Sequence, residues 1–228
     1  MGSTEANATE LMAKHERIKD SLKKEYRHMI LKYKESKATA PASFIEQDSP
    51  VWVCWWQGEV NMPDIVRVCY DSICRNSGAH PVKLVTSENY TEYISLPDYI
   101  VEKVESGDIT ITHLSDILRM HLLYEYGGYW IDATILLTQT LYEEKNIEFF
   151  TVRTAPDITY VADGKWTIYL IGGSKHCLLF DFAKTFLHEY WKGESIPIDY
   201  FMTDYIVALA YDHLPAVKKM ICRLNSSI

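Results

Sequence analysis

Asp116, Arg119 and Asp132 are the residues whose types and spacing invite chemistry, and all three fall in one stretch, SDILRMHLLYEYGGYWIDATILLT (115–138). Asp116 and Arg119 are three residues apart, so a helix sets a carboxylate and a guanidinium on the same side. Gly127 and Gly128 then stop the helix. Asp132 arrives inside an apolar run, where a carboxylate must be ion-paired, hydrogen-bonded or metal-bound. Such a set can hold a phosphorylated sugar. The competing reading is a buried structural ion pair, which is costly and often replaceable by apolar residues.

The elements that must position these groups follow from periodicity. Leu114, Ile117, Leu118, His121 and Leu122 make one apolar helical stripe, with Thr112 or Ser115 as the N-cap. Gly127 sits where a helix ends in the left-handed conformation. The segment 129–137 reads as a buried strand whose period of two puts Trp130, Asp132 and Thr134 on one face. Further strands are expected at 51–56, 82–86, 149–154 and 166–172. Helices are expected at 64–77, 178–191 and 204–212, with helical turns at 89–94 and 98–105. This alternation implies an α/β fold with a mainly parallel sheet and helices on both faces. Ligands bind such sheets beyond the carboxyl ends of the strands, which is where both Trp55 and Asp132 fall.

A separate piece precedes this domain. Ile18, Leu22, Tyr26, Met29 and Tyr33 form the stripe of an amphipathic helix over 5–37, and its other face is rich in lysine. Two readings stay open: a helix packed on the domain with a solvated face, or a basic surface that meets anionic lipid headgroups. The segment 37–43, KATAPAS, reads as a linker. The expected division is an N-terminal helical extension, 1–40, and one domain, 45–228.

Composition bounds the function. The chain has 228 residues, of which 47% are apolar and 24% charged, and so suits one soluble domain with a real core. A net charge of -8 argues against broad nucleic-acid binding. No apolar run is long enough to span a membrane, and the polar N-terminus does not read as a secretory signal. Five cysteines without CxxC spacing read as reduced, buried thiols of a cytoplasmic protein.

The central stretch resembles the D-x-x-R…GG-x-Y/W-x-D-x-D signature of sugar-nucleotide glycosyltransferases with the GT-A fold, particularly family 32. It is most similar to the capsular polysaccharide synthesis protein family, whose version reads SDxLRxxLLxxyGGxWxDAT. The likeness extends to VWVCWWQG (51–58) and SLPDYIVEKVESGDI (95–109), and more weakly to YLIGGSKHCLLF (169–180) and YFMTDYIVALAYDHLP (200–215). The resemblance implies a Rossmann-type GT-A domain that transfers a sugar from a nucleoside diphosphate to a hydroxyl of a capsular or other surface polysaccharide precursor, with retention. Trp55 would stack on the base, with Trp56 as the alternative, and Gln57 and Gly58 would close over the ribose. Asp116 and Arg119 would bind sugar hydroxyls and the diphosphate side, and Asp132 would contact ribose, sugar and metal.

Thr134 stands where the second Asp of the D-x-D motif belongs. One carboxylate plus a hydroxyl makes a weaker contribution to an Mn²⁺ or Mg²⁺ site. The implied partners are the nucleotide-sugar donor and a glycan or lipid-linked acceptor, met in the cytoplasm or at the inner face of the membrane. A second function class is a noncatalytic sugar-nucleotide or glycan-binding module. It is supported by Thr134 and by a chain that ends at Ile228, where relatives continue into acceptor and metal-binding segments.

Other polar residues carry weaker cases. Asp204 could be a catalytic or acceptor-binding carboxylate, or merely a charge at a helix start. Lys175 and His176 could approach phosphate or be ordinary loop residues. His113 and His121 flank the motif helix, and His121 reads most simply as a satisfied core histidine. Asp157 and Asp163 belong to a loop, 155–165, that could fold over donor or carry only surface charge.

Overall fold

The apolar runs and their glycine and proline boundaries become five strands and eight helices in a computed structural model that describes residues 2–35, 44–141 and 146–223. In chain order these are α1 (Gly2–Glu25), α2 (Arg27–Glu35), β1 (Val51–Cys54), α3 (Asp64–Asn76), β2 (Val82–Val85), α4 (Asp98–Ser106), α5 (Ile111–Tyr126), β3 (Gly128–Ile131), β4 (Phe149–Thr151), β5 (Leu170–Gly173), α6 (Leu178–Gly193), α7 (Met202–His213) and α8 (Pro215–Cys222). The expected linker at 37–43 and the chain's last residues, 224–228, lie outside the described residues.

The sheet order is β2-β1-β3-β5-β4. β1 pairs in parallel with β2 and β3, whereas β5 runs antiparallel to β3 and β4. The sheet is therefore mixed, not mainly parallel. The cause lies in the connections: a parallel neighbour needs a crossover, usually helical, and the chain between β4 and β5 contains no helix.

Alternation along the strands builds two cores. Trp52, Trp130, Phe149 and Ile171 face one way, into a cluster shared with α1, α2 and α4 to α8. Val51, Val53, Tyr129 and Ile131 face the other way, against Val66 and Ile73 of α3 and Leu141. Helices thus cover both faces, but unequally.

The N-terminal stripe forms, although the expected single helix turns at Tyr26 and becomes α1 and α2. Leu22, Tyr26, Met29 and Tyr33 are buried in the larger core, where Tyr26 lies 4.5 Å from Phe186 and Tyr33 5.3 Å from Phe182 between ring centroids.

The motif helix α5 starts earlier than the sequence suggests. Thr110, in the extended conformation of an N-cap, accepts from the His113 backbone N–H and meets His113 Nδ1 at 2.9 Å. Thr112 and Ser115 lie inside the helix, and the Ser115 hydroxyl donates back to the Thr112 carbonyl. Gly127 closes α5 at φ 68°, ψ -159°, so it has a positive φ but is not in the left-handed helical region. A positive φ combined with an extended ψ is essentially restricted to glycine. A Cβ on Gly127 would meet Lys175 N at 2.7 Å, and one on Gly128 would collide with the Pro50 carbonyl oxygen.

Three further expectations change. β3 ends at Ile131, because the Ile135 N–H turns back to the Asp132 carbonyl at 2.9 Å, which leaves Thr134 on an exposed turn off the Trp130 face. β5 begins at Leu170, so Trp166 lies in the connection before it. α8 was not anticipated, although Pro215 at its first turn is a helix-start signal. Cys69 and Cys177 are buried thiols as expected, but Cys74 and Cys222 are exposed.

Candidate active site

α5 and β3 meet at Arg119. Its Nη1 donates to Asp116 Oδ1, and its Nη2 donates to Asp132 Oδ1 at 3.1 Å. The guanidinium is 4% exposed and sits 4.8 Å from the centre of the Trp130 ring. Burial disfavours its charge, but Asp116 and Asp132 outweigh burial and hold it still more firmly protonated. Asp132 Oδ1 also accepts from the Trp130 indole N–H at 2.7 Å, so the strand face that carries Trp130 orients the carboxylate just past the strand end. Arg119 Nε is buried without a hydrogen-bond partner.

α7 completes the cluster from the other side. Thr203 donates its hydroxyl proton to Asp116 Oδ2 at 2.8 Å, so both Asp116 oxygens are engaged. Asp204, the next residue, accepts from the Trp166 indole N–H at 3.0 Å. Burial pushes the Asp204 carboxyl up to about 6. The Trp166 hydrogen bond opposes this, Asp116 adds to it, and Arg119 opposes it. Asp116, Arg119, Asp132 and Asp204 thus form one electrostatic unit drawn from a helix, a strand end and a second helix.

Cys54 ends β1 beside the same cluster. Burial pushes its thiol up to about 12, with Arg119 pulling it down and Asp132 pushing it up. Trp55 and Trp56 follow on this rim and point to opposite faces. Trp55 packs with the α3 side, and its indole N–H is buried without a partner. Trp56 packs with the larger core, 5.3 Å from Tyr90. Gln57 is exposed, and its carbonyl accepts from Asn61 Nδ2 at 2.7 Å.

The remaining candidates fall elsewhere. Lys175 and His176 follow β5, whose carboxyl end pairs with the amino end of β3, so they lie at the opposite rim from Asp132. A cleft of about 420 Å³ opens there, lined by Tyr93, His121, Glu125, Tyr126 and Lys175. His121 is a core histidine with its partner satisfied. Its Nε2 lies 2.5 Å from His188 Nε2, and burial lowers its pKa to about 3. Glu125 is paired with Lys184 at 3.5 Å. His113 serves the α5 cap, and Asp163 pairs with Lys165.

Reading the sequence alone missed Thr203, Trp166 and the donor role of Trp130. Period-two alternation already placed Trp130 on the Asp132 face. Nothing local to Trp166 signals its partner, which is 38 positions away.

Two outcomes test this geometry. Thr203→Val should cost about 1–3 kcal/mol by chemical denaturation, because it strands a buried Asp116 oxygen. Thr203→Ser should recover most of that loss, and a neutral valine variant would show that the bond carries no stability. Asp204 binds its proton more tightly folded than unfolded, so its contribution is fully present below the ordinary carboxylate pKa. The contribution is lost as pH rises to about 6. The loss is about 1.4 kcal/mol for each pH unit of that window. Asp204→Asn should flatten the slope between pH 4 and 6 and be more stable than the parent at pH 7; an unchanged slope would sink the assignment.

Among the described residues, no three His, Cys, Asp or Glu side chains converge as a metal site. Asp132 Oδ1 is already shared by Arg119 and Trp130, whereas Oδ2 has no protein partner among those residues. The donor set therefore fits a hard cation only as a partial ligand, with other oxygens supplied by phosphate and water.

Known proteins resemble this chain in fold and in sequence. The solved structure of PaToxG Glycosyltransferase superposes with a TM-score of 0.55 over 92% of this chain and 83% of that one, at 13% identity, which is a likeness of fold. O-glycosyltransferase PaGT of Phomopsis amygdali is 26% identical over 169 residues, covering 66% of this chain and 40% of that protein. O-glycosyltransferase braB of Annulohypoxylon truncatum is 30% identical over 98 residues, covering 39% and 23%. The chain thus spans less than half the length of the curated relatives it matches. The family model described as "Capsular polysaccharide synthesis protein" matches residues 3–227, nearly end to end. A match of that extent shows that the chain belongs to the capsular polysaccharide synthesis protein family.

Proposed function

We propose that the chain is a glycosyltransferase of the hexosyltransferase type that moves a sugar from a nucleoside diphosphate to a hydroxyl of a capsular or other surface polysaccharide precursor, with retention of configuration. The observation that carries this reading is Arg119 fixed between Asp116 and Asp132 at the carboxyl rim of the sheet. A guanidinium held permanently charged and preoriented is what a departing diphosphate requires, since its charge grows as the glycosidic bond breaks. The names of the relatives support the same reading.

In this mechanism Arg119 faces the diphosphate, and Asp116 accepts from a sugar hydroxyl through lone pairs left over from Arg119 and Thr203. Trp55 or Trp56 stacks on the base, and Gln57 and Gly58 cover the ribose. Asp204 orients the acceptor hydroxyl. The anomeric C–O bond breaks with its electron pair leaving on the diphosphate. The acceptor oxygen bonds the same face of the anomeric carbon, and its proton passes to the departing diphosphate oxygen. Mn²⁺ or Mg²⁺, when bound, would stabilise the diphosphate charge; Asp132 Oδ2 is the group that would hold it, with phosphate and water oxygens completing the shell.

The exposed Lys23, Lys24, Lys32 and Lys34 support peripheral contact with anionic headgroups at the cytoplasmic face. No described helix is long and apolar enough to cross a membrane.

The test is to incubate the protein with a panel of nucleotide sugars and Mn²⁺ or Mg²⁺ and measure released nucleoside diphosphate. Donor hydrolysis supports the enzyme; tight binding without turnover under either metal overturns it. The second outcome belongs to the alternative, a noncatalytic sugar-nucleotide or glycan-binding module, which draws on the exposed Thr134 and the half-engaged Asp132. Trp55→Ala should weaken donor binding by roughly 1–3 kcal/mol through lost stacking, read by calorimetry. Unchanged affinity would move that role to Trp56.

A further inference from the structure

Beside the buried carboxylates lies an aromatic corner that the donor site does not use. Tyr160, Tyr200 and Phe201 are 57%, 66% and 39% exposed. Both tyrosine rings stand nearly perpendicular to Phe201: Tyr160 lies 6.4 Å from it and Tyr200 5.1 Å, both at 89°. Phe201 is the N-cap of α7, directly before the turn that carries Thr203 and Asp204. The loop bearing Tyr160 continues to Trp166, which donates to Asp204. Both segments that make the corner therefore also hold the site.

The corner is built rather than incidental. His15 of α1 is buried; its Nε2–H donates to the Thr159 carbonyl at 3.0 Å, and its Nδ1 accepts from the Tyr205 hydroxyl at 2.8 Å. Lys14 pairs with Asp199 at 2.6 Å, and Asp199 in turn accepts from the Phe201 N–H at 2.9 Å. Asp157 accepts from the Thr159 N–H at 2.9 Å, and the Tyr160 N–H donates to the Asp157 carbonyl at 3.1 Å. α1 thus braces both backbone segments while the rings they carry stay in water. A contiguous exposed apolar surface held this firmly marks an interaction site.

The surroundings favour a hydroxylated ring over a lipid chain. Two of the three rings are tyrosines, and Asp157, Asp199 and Asp204 lie close by along the same segments. Phe201 meets each tyrosine ring edge to face, so the apolar surface is angular rather than flat.

We propose that Tyr160, Tyr200 and Phe201 form the acceptor subsite, on which a saccharide ring of the growing glycan stacks while its hydroxyl reaches Asp204. This rests on the glycosyltransferase reading for its purpose, though not for its binding.

The test uses the full chain and a set of methyl glycosides (gluco, galacto, manno, N-acetylgluco and rhamno) in saturation-transfer NMR. A Tyr160→Ser, Phe201→Ser double variant and separate UDP and GDP titrations accompany it. Both substituted side chains are exposed, so the fold should persist, as checked by circular dichroism. The parent should saturate the ring C–H protons of at least one glycoside, and the double variant should lose that signal by about fivefold or more, the low end for a lost stacked ring. Nucleotide affinity should stay within about twofold, as expected for surface substitutions. Equal signal in parent and variant, or none from any glycoside, overturns the proposal, as does binding of free indole at the corner without any sugar. Nucleotide binding without glycoside contact loses only this subsite; glycoside contact without nucleotide binding loses the transferase reading and leaves a glycan-binding surface.

Discussion

Arg119→Met is expected to cost about 3–5 kcal/mol of folding stability, because it leaves the buried Asp116 carboxylate uncompensated and strips Asp132 of its ion pair. For a chain of this size that corresponds to a fall in Tm of roughly 6–20 °C. The cost comes from what remains. Asp116 would keep only the Thr203 hydroxyl, in a site where both of its oxygens are now occupied. Two controls sharpen the outcome. Acidification should shrink the deficit, since protonated Asp116 and Asp132 no longer need the guanidinium. The triple replacement of Asp116, Arg119 and Asp132 by apolar residues of similar volume should recover much of the loss while abolishing any donor binding, since buried ion pairs are often replaceable for stability alone. A single-variant loss below about 1 kcal/mol would mean that the carboxylates adapt by taking up protons, and that the pair is not the strut described here.

Asp132→Asn is the complementary substitution, expected to spare the fold and impair the chemistry. Its side chain is 36% exposed and loses only a charge, so the Trp130 and Arg119 hydrogen bonds persist. If Asp132 serves the centre where charge develops, kcat should fall by about 10²–10³, or roughly 2.7–4 kcal/mol of transition-state stabilisation. Single-turnover donor hydrolysis would report this without an acceptor. Activity within twofold of the parent would remove Asp132 from the mechanism, and a proportional rise in the metal concentration needed for half-maximal rate would separate a ligand role from a purely electrostatic one.

The helix with Asp116 and Arg119 was legible because its signals are local: an apolar stripe at helical spacing, and glycines at its end. Trp130 and Asp132 were legible as a same-face pair for the same reason. Other features depended on contacts distant in sequence. Whether β5 runs parallel or antiparallel is decided by the helix-free path from β4, and an apolar run reads the same in either direction. Thr134 was placed on a strand that the Asp132 carbonyl in fact ends by accepting from Ile135. The Thr203 hydroxyl and the Asp204 carboxylate of α7 reach the site only because they meet partners 87 and 38 positions away. No spacing rule spans such separations. The N-terminal stripe enters the main core, as the reading of a helix packed on the domain expects, although amphipathicity shows only that a face must be covered and not by what.

That shared core alters what the first 35 residues mean. A protein begun after them would not be a smaller version of this one: Phe182, Phe186 and Tyr190 would face water where Tyr26 and Tyr33 now lie. The loops at 157–160 and 199–201 would lose the hand that steadies them. The leading helices behave as a keystone, so changes made far from the charged cluster can still be felt at its mouth.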